Sequence, residues 1–75
     1  MSSETVYLPG DPVAVLRGQI ERVVKPQGET FAEAVRRWLI AEHYPHYAEN
    51  FDPDSYMDLV QVETCIKAKF YPLYN

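Results

Sequence analysis

The residues suited to chemistry are few and scattered. His43 and His46, in the run His-Tyr-Pro-His, have the i,i+3 spacing that sets two imidazoles on one side of a helical turn, where they could share a metal. Pro45 between them argues against regular helix, and no cysteine stands near enough to complete a zinc set. Cys65 is the single cysteine, which excludes an internal disulfide and a cysteine-cluster zinc site. Nothing beside it in sequence supplies the base or cation that makes a thiol nucleophilic. Asp52, Asp54 and Asp58 loosely match the opening of a calcium loop, without the glycine and terminal glutamate such a loop needs. There is no glycine-rich phosphate loop and no Ser/His/Asp order. The expectation is a protein that is not an enzyme and holds no metal and no cofactor.

The elements that would position these groups are marked by proline and glycine. Thr5-Val6-Tyr7-Leu8 is strand-prone and closed by Pro9-Gly10. Asp11-Pro12 reads as a helix start, with aspartate as N-cap and proline at the first helical position. Val13, Leu16, Ile20, Val23 and Val24 then form one stripe, and Pro26 and Gly28 end the helix near Lys25. Gly18 inside it costs about 1 kcal/mol against alanine, which a close backbone approach would explain. Thr30 and Glu33 have capping-box spacing and open a second helix with the stripe Phe31, Ala34, Val35, Trp38 and Leu39, running to about Tyr44. Trp38 belongs to the core on this spacing.

Residues 56–70 carry two patterns. Tyr56, Leu59, Val60, Val62, Ile66 and Phe70 share a helical face, and Asp52-Pro53 repeats the cap-then-proline start. Val60, Val62, Thr64, Ile66, Ala68 and Phe70 also alternate as in a strand. Helix is the better reading, because a long strand would have only one four-residue partner. Glu63 and Lys67 form an i,i+4 pair in the favourable order.

Seventy-five residues make one domain with a small core, for which dimerisation is a natural supplement. Seven basic residues against eleven acidic give a net charge of -4, unfavourable to nonspecific attraction for phosphate. The acidity sits in the C-terminal part: residues 45–75 hold two lysines against five acids, and six of the ten aromatic residues. No apolar run is long enough for a membrane span, and Met-Ser-Ser-Glu does not resemble a secretory signal. A cytoplasmic protein without a membrane role is expected.

The order strand, helix, glycine turn and capped helix resembles a ribbon-helix-helix subunit. Val6-Tyr7-Leu8-Pro9, the Leu16 and Ile20 stripe, and Gly28-Glu29-Thr30-Phe31-Ala32-Glu33-Ala34-Val35-Arg36 carry the resemblance, which covers residues 4 to about 43. It implies a mainly α fold: a short N-terminal strand and two helices intertwined in a homodimer, here with a C-terminal extension as a third helix. The single domain would divide into a core over 4–44 and an acidic, aromatic extension over 45–75. The resemblance further implies that the paired strands enter the major groove of DNA, with Val6 and Leu8 inward and Ser3, Thr5 and Tyr7 toward the bases. A phosphate would sit on the amides of Glu29 and Thr30. Arg36 and Arg37 would then grip phosphates or else form a solvated face, the reading also open to Arg17 and Arg22.

Three departures are visible. The outward strand positions lack Arg, Lys, Asn and Gln; Glu29 is negative where a phosphate would sit; and the turn at Lys25-Pro26-Gln27-Gly28 is long. Two functions therefore stand side by side. One is a dimeric DNA-binding regulator, repressor or antitoxin-like, whose tail binds a partner protein through Tyr56, Phe70, Tyr71 and Tyr74. The other is a small acidic, phage-type inhibitor or adaptor that binds protein and not DNA. In either, the aromatic tail contacts a partner or packs on its own helices.

Overall fold

The structure is a computed structural model, described here over residues 10–71. Four helices follow one another: α1 (Pro12–Val24), α2 (Phe31–Ala41), α3 (Pro45–Glu49) and α4 (Tyr56–Phe70). The expected fold class is overturned. Among the described residues the chain builds four helices and no strand, where two helices and a third were expected to follow a strand. The mainly helical character stands. The Thr5–Leu8 strand lies outside the described residues.

Local chemistry sets the helix starts. The Asp11 carboxylate accepts from the Val13 amide at 2.8 Å, with Pro12 in the first turn. Both arms of the capping box form at α2: the Glu33 amide donates to Thr30 Oγ1 at 3.1 Å, and the Thr30 amide donates to Glu33 Oε1 at 2.9 Å. Ser55 caps α4 by accepting from the Asp58 amide. The cap-then-proline start at Asp52-Pro53 is therefore three residues early. Asp52 instead makes a turn, accepting from the Asp54 amide on its side chain and from the Ser55 amide on its carbonyl.

The second helix ends earlier than Tyr44, and Pro45 begins a helix instead of only stopping one. Residue 44 precedes a proline and is pushed out of the helical region, so α2 closes with a left-handed turn at His43 (φ 72°). The His43 amide donates to the Ile40 carbonyl at 3.0 Å and the Tyr44 amide to the Leu39 carbonyl at 2.8 Å, the paired bonds of a Schellman ending. Pro45 then loses no donor as the first residue of α3, which takes His46 but leaves His43 outside.

One core joins all four helices. Leu16, Ile20 and Val24 of α1 meet Phe31, Ala34, Val35, Trp38 and Leu39 of α2, while Leu59, Val62, Cys65 and Ile66 come from α4. Ala48 and Phe51 close one end. Each fully buried leucine or isoleucine contributes about 1.5–3 kcal/mol of transfer free energy. The α1 stripe is covered by α2 and α4 of the same chain. This is why the intertwined two-subunit core is not needed: the extension supplies the cover that a second subunit would otherwise bring. Tyr56 and Phe70, expected on the apolar face of α4, are instead about half exposed, and Cys65 takes their place. Gly18 has open space where a Cβ would stand, so no backbone approaches it.

Candidate functional site

Two arginines, Arg17 and Arg36, fix the loop that shapes the surface. Arg17 on α1 lies with its guanidinium carbon 4.4 Å from the centroid of the Phe31 ring, donates to the Pro53 carbonyl at 3.2 Å, and reaches Asp54 at 3.8 Å. Arg36 on α2 donates to the Phe51 carbonyl at 3.1 Å. The loop joining α3 to α4 is thus held from both neighbouring helices through its own backbone. Phe51, buried beneath it, packs on Phe31 with ring centroids 6.2 Å apart.

Arg37 holds the other connection. Its Nη2 donates to Glu29 at 2.8 Å and to the Val24 carbonyl at 3.0 Å, so one guanidinium ties the end of α1 to the start of α2. The hydrogen bond from Arg37 holds the Glu29 carboxyl below its ordinary range, and the same bond raises Arg37. A lysine–glutamate bond, Lys69 to Glu42 at 2.9 Å, joins the far ends of α4 and α2.

Because α3 leans on α2, a cleft of about 250 Å³ opens between α3 and α4. Phe51 and Val62 line it with apolar surface, Tyr47 with an aromatic ring, and Asn50, Gln61, His46 and Asp58 with polar groups. Asp58 Oδ2 accepts from the Asp52 amide at 2.8 Å, which fixes the carboxylate beside the cleft. Tyr47 is stacked on Tyr44 at 5.8 Å, which steadies its ring. On the other side of α3, Ile40, Pro45 and Ala48 lie in a more open groove between Arg36 and Glu49. A carboxylate, an aromatic face and side-chain amides around an apolar floor suit a cationic side chain on an apolar stem.

The sequence-predicted site residues are dispersed. Ser3, Thr5, Tyr7 and Tyr74 lie outside the described residues. The Thr30 amide, implied as a phosphate seat, already donates to Glu33. Arg36 is turned to the Phe51 carbonyl. Tyr56, Phe70 and Tyr71 are exposed along and just beyond α4, and the α3–α4 cleft uses none of them. His43 and His46 are separated by the α2–α3 turn, and no group of three His, Cys, Asp or Glu side chains among the described residues could hold a metal. Cys65 is buried, and burial pushes its thiol up, away from the reactive thiolate. No helix among the described residues is long and apolar enough to cross a membrane.

Sequence reasoning missed Arg17 as an anchor and the cleft residues Tyr47, Asn50 and Gln61. Arg17 meets Pro53 across 36 positions, so no local spacing could announce the contact. No family model, no curated protein and no solved structure matches this chain.

Proposed function

We propose that the domain is a small acidic protein-binding module, an inhibitor or adaptor, and that its partner presents a basic segment with an apolar anchor. The observation that carries this reading is the internal use of Arg17, Arg36 and Arg37, whose guanidinium groups bond to backbone carbonyls and to Glu29 or Asp54. What the surface then offers is excess carboxylate beside exposed tyrosine and isoleucine. The α3–α4 cleft is the seat: Asp58 pairs with the incoming cation and the exposed Tyr47 ring packs on it and on its aliphatic stem, above the buried Phe51 and Val62. The regulator reading fares worse because phosphate contact by Arg17, Arg36 or Arg37 would require breaking these bonds, which leaves Arg22 and Lys25 as the other cations of the front half on a chain of net charge -4.

Fluorescence anisotropy with a labelled helical peptide rich in Lys, Arg and Leu tests the reading against an acidic peptide of the same length. The basic peptide is expected to bind, to weaken with salt, and to lose about tenfold in affinity with Asp58→Asn or Tyr47→Ala, about 1.4 kcal/mol. Equal binding of both peptides, or affinity indifferent to both substitutions, contradicts it.

A further inference from the structure

Four of the seven large apolar side chains exposed on the described surface, Tyr56, Met57, Phe70 and Tyr71, lie on α4 or immediately after it. Leu59, Val62, Cys65 and Ile66 anchor α4 to the core. With about 3.6 residues per turn, the line directly opposite that anchor passes through Thr64, with Met57, Ala68 and Tyr71 along it and Val60, packed in part against the core, at its margin. The Thr64 hydroxyl donates to the Val60 carbonyl at 2.9 Å. Its one donor is met inside the helix, so the centre of the stripe presents a methyl group and a hydroxyl oxygen with no hydrogen to place. Met57 and Tyr71 at the ends of the stripe are 73% and 72% exposed.

The charges beside the stripe say what covers it. Tyr56, Glu63, Lys67 and Phe70 run along one edge. Glu63 and Lys67 stand 4.0 Å apart, and the Lys67 side chain is 65% exposed, so each can take a second partner. We propose that this face is an interface between two copies of the chain, with α4 packed antiparallel on α4 about a two-fold axis through Thr64. Such an axis brings the same edge of both helices together in reversed order. Each Glu63 then has a lysine from both copies within reach, Tyr56 lies beside Phe70 of the second copy, Met57 meets Tyr71, and Val60 meets Ala68. This pairing differs from a strand-paired dimer and does not depend on the partner reading, since the α3–α4 cleft lies along the other edge of α4.

Sedimentation equilibrium of the full chain over a concentration series tests it. The expected species has twice the chain mass. Thr64→Arg, at an exposed site, sets like charges on the axis and is expected to give single chains with unchanged helicity. Lys67→Glu is expected to do the same, and the exchange Glu63→Lys with Lys67→Glu to restore the dimer. A wild-type chain that stays single, a dimer unmoved by Thr64→Arg, or an exchange that fails to restore it overturns the proposal. Peptide binding by the Thr64→Arg chain, measured separately, keeps the two readings distinguishable.

Discussion

Arg37 and Glu29 are joined by a hydrogen-bonded ion pair of 2.8 Å at the position where the resemblance implied a bound phosphate. The negative charge that stood out in sequence as unfavourable to DNA is the internal partner of a guanidinium. The same guanidinium satisfies the Val24 carbonyl at the end of α1, a group otherwise left without a helical partner. The pair therefore closes the α1–α2 connection.

A pH dependence follows from this pair. The Glu29 carboxyl is depressed in the folded chain because Arg37 hydrogen-bonds to it. Its contribution to stability is present above the unfolded glutamate value and is lost as pH falls through the lower folded value. Urea melts in an acid series should show Glu29→Gln with a flatter acid limb than wild type, and a matching loss at neutral pH. Equal acid limbs would remove the pair from the account.

Gly18→Ala should stabilise the domain by about 0.5–1 kcal/mol. The position is helical and exposed, and nothing stands within 4 Å of an added Cβ. Thermal melting that rises confirms an open site; a fall would mean that something packs there.

His43→Gly should also stabilise, by about 1 kcal/mol, because φ 72° strains a residue with a Cβ while the Schellman bonds need only backbone. His43→Val, which keeps the Cβ and adds a branch, should destabilise. The order Gly above His above Val in chemical melts is the expected ranking, and any other order contradicts the assignment of strain to this turn.

The sequence announced what local spacing can announce. Asp11, Thr30 and Glu33 marked helix starts because capping acts within three residues. All five residues of the α2 stripe, Phe31 to Leu39, are buried as their period required. Residues 56–70 were ambiguous because β-branched alternation and a helical face coexisted; burial of Leu59, Val62 and Ile66 against α1 decides for helix. Pro45 suits a helix start as well as a stop, and sequence spacing does not separate the two. The cleft was not legible, since Arg17 and Arg36 hold its loop across 36 and 15 positions and aim at carbonyls, which every residue possesses.

Arg17, Arg36 and Arg37 are structural clamps and not phosphate contacts, and Arg36→Gln with duplex DNA tests this most directly. The account predicts no saturable binding of a duplex at low salt by the wild-type chain, and a loss of about 1–2 kcal/mol of folding stability in Arg36→Gln as the Phe51 carbonyl loses its donor. Saturable binding whose logarithm falls with the logarithm of salt, abolished by Arg36→Gln while the melting curve stays in place, would contradict it.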